Sequence, residues 1–222
     1  MVESDTLVDE FDSDSFLFLK PKKYKNADAM ICKIKNKSKD PVLVQFPKMK
    51  LVSDYILTGE NPSKFVELEF MNETGYNKKL YNFLSKLDEH VVNVVSSKSE
   101  DWFGKNIPIE NISQMYNKFI KAPKTSENNC TIHFVFDKAK SELINKKNEN
   151  VDTSELVKGI SLECIAELKF LVFTKDTCFV NWEIKSAKIH KKIIRVPKFG
   201  FVEDPHENSD DESSDEENIT FF

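Results

Sequence analysis

Between Tyr76 and Ser97 the apolar residues Leu80, Phe83, Leu84, Leu87, Val91, Val94 and Val95 recur at helical spacing, one stripe of an amphipathic helix. On either side of it the pattern is that of strands. Ala29 to Lys35, Val42 to Leu51 and Lys64 to Met71 come before; Thr131 to Phe136, Ile160 to Phe173 and Cys178 to Ile189 come after. In the third stretch Val66, Leu68 and Phe70 alternate with Glu67 and Glu69, as in a half-buried strand. Pro47 within the second stretch predicts an edge position or a bulge. Thr174-Lys175-Asp176-Thr177 is a hairpin-sized link between the last two. A shorter helix is expected from Pro108 to about Phe119. Before it, Glu100 to Lys105 reads as a turn, with Trp102 and Phe103 pinning it against the strands. The polar stretch from Lys138 to Val157 reads as a loop with a short helix at most. The chain is therefore expected to be mainly β, in the α+β class. Three strands, a helical insertion and further strands follow the order of an OB-fold, a Greek-key barrel with a helical insertion between strands three and four.

Charge divides the chain as clearly as hydrophobicity does. Residues 1–15 carry six acids and no base, and residues 203–222 carry nine acids and no base. Residues 16–202 hold 22 acids against all 32 bases, a surplus of ten positive charges. The layout predicts a disordered acidic N-terminus (1–15), one folded domain (16–202) and a disordered acidic tail (203–222). A basic body between acidic ends suits a polyanion binder whose tail competes with the polyanion; equally, the tails serve solubility alone. Of the 32 bases only Arg195 is arginine. Arginine forks read guanine in the major groove, whereas lysine suits backbone phosphates in any sequence context, so sequence-specific duplex reading is disfavoured. The acidic start is the reverse of a signal peptide, and no apolar run nears the roughly 18 residues of a membrane span. A soluble intracellular protein without membrane contact is expected.

Five glycines and four histidines supply no GxSxG, P-loop, GxGxxG or HExxH. Cys32, Cys130, Cys164 and Cys178 lie far apart with no CxxC. No enzyme, metal site, cofactor or disulfide framework is expected. His90 and His133 read as structural, and the pairs Asp88-Glu89 and Glu67/Glu69 as solvated surface charge. What remains is lysine interleaved with aromatics, the pairing by which single-strand binders hold phosphates and stack bases. The candidates are Lys48 and Lys50 beside Phe46, then Lys169 and Lys175, then Phe179, Trp182 and Lys185, with Lys188, Lys191 and Lys192 beyond. Trp182 shares parity with Val180 and Ile184 and fits the core better than a ligand face; Phe179 shares parity with Asn181 and Glu183 and is the more exposed candidate. At the end of the tail, Phe221-Phe222 has no core to join and reads as an aromatic anchor for docking.

Several of these features together resemble one family. They are Phe46-Pro47-Lys48, the helix before Asp101-Trp102-Phe103-Gly104-Lys105-Asn106-Ile107, Met115-Tyr116 with the Lys121-Ala122-Pro123 break after it, the closing hairpin with Phe179 and Trp182, and the acidic tail ending in phenylalanine. The combination, over roughly residues 28–222, resembles the single-stranded DNA-binding proteins of nucleocytoplasmic large DNA viruses, themselves similar to the replication single-strand binder of short-tailed coliphages. The resemblance implies an OB-fold that coats single-stranded DNA during viral replication, recombination or repair, in a host-cell virus factory or nucleus. It further implies a tail that covers the empty groove and, once displaced, recruits a replication protein such as DNA polymerase or helicase-primase. Asp210, Asp211, Glu212, Asp215, Glu216, Glu217, Phe221 and Phe222 match that tail. The acidic N-terminus departs from the family, and the sequence leaves monomer and homodimer open.

Overall fold

The computed structural model describes residues 12–24, 28–55, 65–71, 75–123 and 129–190. Asp12 caps a 3-10 turn at Ser13–Ser15, so this part of the segment expected to be unstructured is folded. The strands are β1 (Phe16–Phe18), β2 (Lys22–Lys23), β3 (Met30–Asn36), β4 (Val42–Leu51), β5 (Phe65–Phe70), β6 (Tyr116–Asn117), β7 (Ile120–Lys121), β8 (Thr131–Val135), β9 (Glu142–Ile144), β10 (Ser161–Phe173) and β11 (Cys178–His190). Two helices, α1 (Gly75–Phe103) and α2 (Ile109–Met115), lie in the chain between β5 and β6.

Five of the strand pairings close a ring. Strand β10 pairs with β4, β4 with β5, β5 with β8, β8 with β11, and β11 returns to β10. Within the ring only the β8–β11 step is parallel. The inner faces meet in an aromatic chain: Phe134 on Phe46 (4.8 Å between centroids), Phe46 on Trp182 (5.3 Å), Trp182 on Phe119 (5.7 Å), all edge to face. Such pairs contribute about 0.5–1.5 kcal/mol each beyond the area they bury.

Pro47 sits in a bulge rather than at an edge, because β4 has partners on both sides. Cys164 faces Phe46 and Leu162 faces Met49, so Glu163 alone spans Pro47 and Lys48, and the missing proline N–H falls where the ladder is interrupted. Strand β10 pairs with β11 through two further bulges, whose extra residues are Lys185 on β11 and Lys169 on β10. Each bulge reverses the buried parity: Val180, Trp182 and Ile184 point inward before Lys185 and Ala187 after it, while Leu162 to Leu168 do so before Lys169 and Leu171 after it.

Helix α1 runs past the expected turn because Ser99 and Trp102 continue the buried stripe of Val91 and Val95. It ends where Gly104 takes a left-handed φ of 69° and gives its N–H to the Glu100 carbonyl at 2.8 Å. Trp102 and Phe103 do meet the strands, both against Phe173 at the end of β10. The second helix stops at Met115, four residues short of expectation, since Tyr116 and Asn117 turn extended to pair with Cys178 and Phe179.

Candidate nucleic-acid interface

Where β11 begins, the short strands β6 and β7 stand beside β5 and β8 and leave a cleft of about 620 Å³. Phe65 opens β5 on the parity of Glu67 and Glu69, away from the core, and is 58% exposed. Phe179 is half-buried, opposite Asn117 of β6. Lys118 and Lys121 are exposed on the cleft, Asn117 and Asn181 add amide groups, and Trp182 lies at its floor. One wall is braced by a polar chain. Lys121 Nζ lies 3.3 Å from His133 Nδ1, His133 Nε2 lies 3.1 Å from Glu67 Oε1, and the Thr131 hydroxyl donates to the same oxygen at 2.7 Å. Lys118 forms no ion pair among the described residues. The arrangement offers flat aromatic faces, mobile cations and amide donors in one concavity. These suit a ligand with planar rings on a repeating anionic backbone.

The structure scatters the residues singled out by sequence. Phe179 and Trp182 reach the cleft, Trp182 as a core residue only 2% exposed. Phe46 is completely buried under it, so its ring supports Trp182 and presents no face to a ligand. Lys169 and Lys185 are committed elsewhere. Glu167 faces Glu183 directly across the β10–β11 ladder, and the two bulge lysines close on that pair. Lys185 Nζ lies 2.8 Å from Glu167 and 2.7 Å from Glu183, and Lys169 pairs with Glu183 from the other bulge. Burial pushes the Glu183 carboxyl up, but Lys169 and Lys185 outweigh it and hold the group below its usual range. Lys50 reaches Glu69 at 3.6 Å, and Lys48 is exposed at the β4 bulge. Lys188 is half-buried opposite Glu163. Lys175 borders a second cleft, also of about 620 Å³, with Phe173, Lys23 and Lys105. Lys191, Lys192 and all the tail residues named above lie outside the described residues.

Sequence reasoning missed Phe65, Lys118 and Lys121. It also placed Asp88 on the surface, whereas that carboxylate is buried behind the cleft. Tyr116 Oη–H donates to its Oδ1 at 2.7 Å and the Phe119 N–H at 3.3 Å. Burial raises Asp88 to about 6, against the opposing pull of those two donors. Among the described residues no group of three or more His, Cys, Asp or Glu is placed to hold a metal ion, and no helix is long and apolar enough to cross a membrane.

Residues 67–202 match the profile of a family of unknown function, DUF5871, and the chain belongs to that family. Comparison with curated proteins returns no match. Among solved structures the chain is similar to the single-stranded DNA-binding protein from bacteriophage Enc34, with a TM-score of 0.44 and 16% identity over 78% of this chain and 89% of that one. The same phage protein in complex with single-stranded DNA gives 0.42 and 14%, over 78% and 95%. For gp2.5, a single-stranded DNA binding protein encoded by bacteriophage T7, the values are 0.49 and 11%, over 73% and 98%.

Proposed function

We propose that the chain binds single-stranded DNA without sequence preference, in viral DNA replication, recombination or repair, on a ring of strands that is an OB-fold with α1 as its insertion. The observation that carries this reading is the cleft: Phe65 and Phe179 in one concavity with Lys118 and Lys121. An aromatic face stacks on any base, and a lysine meets any phosphate, so this composition grips a strand without reading it. The acidic tail, residues 203–222, competes with DNA for the basic body and recruits a replication enzyme through Phe221-Phe222. Nine carboxylates tethered to that body act at an effective concentration on the order of mM, most strongly at low salt.

Fluorescence anisotropy with labelled oligo-dT, oligo-dA and duplex DNA at low and high salt tests the reading, on the full chain and on a chain ending at Phe201. Both single strands should bind with similar affinity and steep salt dependence, and more tightly without the tail. Absence of binding by either chain overturns the reading. It leaves an interaction adaptor whose acidic ends hold a basic partner such as a histone.

A further inference from the structure

The segment that brings Asn117, Lys118 and Lys121 to the cleft is seated by the buried rings of Tyr116 and Phe119, the latter on Trp182, but makes few ladder pairings. Strand β6 pairs with β11 at two positions and β7 with β8 at two. From behind, one side chain hydrogen-bonds both Tyr116 and Phe119. Asp88, in the middle of α1 and 6% exposed, accepts the Tyr116 hydroxyl and the Phe119 amide on the same oxygen. These donors stand on either side of Asn117 and Lys118, so a single carboxylate oxygen fixes both ends of the turn.

We propose that Asp88 is the positioning residue of the cleft: by holding Tyr116 and Phe119 from α1, it sets Lys118 and Lys121 where the phosphates of a bound strand pass. The inference rests on the single-stranded DNA reading above. The charged groups that face Asp88 are Glu89 on its own helix and Lys118 on the turn. From β6 it is faced by Tyr116, whose hydroxyl burial pushes well above its ordinary range. A cavity of about 450 Å³, bordered by Ser85, Asn93 and Ser113, opens beside it and gives protons a route. An ionised carboxylate accepts more strongly than a neutral acid or an amide. The turn is therefore held fully above the Asp88 pKa of about 6 and less firmly below it. The same raised pKa means that the charge opposes folding at neutral pH, so holding the turn and stabilising the fold pull in opposite directions.

That opposition supplies the test. Oligo-dT affinity and thermal midpoint are measured from about pH 5 to about pH 8 for the full chain and for Asp88→Asn, which keeps an acceptor oxygen but no titration. The ratio of the two dissociation constants cancels every pH effect that the two proteins share. It should be near one at the acid end and rise to about threefold or more at the alkaline end, while Asp88→Asn melts higher than the parent there. A residue with a merely structural role does not give a variant that is more stable and binds more weakly. Asp88→Ala, which removes the acceptor, should bind about tenfold more weakly across the range. If Asp88→Ala does not fold, the Asn comparison decides alone. A parent chain that binds and a ratio that stays at one overturn this inference only. A parent chain that fails to bind oligo-dT at any pH overturns the functional reading beneath it.

Discussion

Two places in this molecule gather lysines, and their neighbours make them different. On the β10–β11 ladder Lys169 and Lys185 close on Glu167 and Glu183, two largely buried carboxylates that face each other across the strands. In the cleft Lys118 and Lys121 stand beside Phe65 and Phe179, and the nearby Glu67 is engaged by His133 and Thr131. The first group neutralises itself and holds two strands together through its bulges. The second leaves cations and rings for something outside the chain. The proposed anion site is the second, where Lys118 and Lys121 form no ion pair with a carboxylate among the described residues.

The largest effect is expected at the aromatic chain under the cleft. Phe46→Ala empties a fully buried position and should lower unfolding free energy by about 3–5 kcal/mol in denaturant titration, a structural loss that marks Phe46 as support. Next in size is the pH dependence of stability. The Asp88 pKa is raised from 3.8 to about 6, so the fold binds this proton more tightly than the unfolded chain does. Stability should fall as pH rises from about 4 through about 6, by up to about 3 kcal/mol relative to Asp88→Asn. An identical pH profile in the two proteins would show that the carboxyl is not strained by burial.

Glu183→Gln leaves Lys169 and Lys185 with one carboxylate between them. It should cost about 1–3 kcal/mol of stability, less than for a fully buried pair because the lysine ends reach water. Oligo-dT affinity should not fall; a loss would place the ladder lysines on the DNA path. Phe65→Ala should do the reverse, with an unchanged melting temperature and DNA affinity weaker by about 1–3 kcal/mol, the worth of one stacked base. An unaltered affinity would remove Phe65 from the site.

Much of the fold was legible because it obeys simple periods. Phe65–Phe70 is found where the alternation of Val66, Leu68 and Phe70 put a strand, and α1 runs through the expected stripe and beyond it. The site was less legible, for reasons that belong to particular residues. Phe65 could have been read, since an aromatic on the parity of Glu67 and Glu69 faces away from the core. Asp88 could have been read as well, one helical turn from both Leu84 and Val92 on the apolar side of α1. Lys118 and Lys121 could not, because strands of two residues have no period. The pairing of Lys169 and Lys185 was hidden too. A bulge reverses parity, and nothing in Glu183-Ile184-Lys185 announces one.

The salt dependence of oligo-dT binding separates the two groups of lysines. The slope of log affinity against log salt changes by about 0.7 for each single-strand phosphate that a lysine neutralises. Replacing Lys118 and Lys121 together by Gln should flatten the slope by about 1.4 and weaken binding to all sequences alike. Replacing Lys169 and Lys185 in the same way should leave the slope of the parent chain, at a temperature where both variants are folded. A slope that flattens equally in the two variants, or only in the second, would contradict the account.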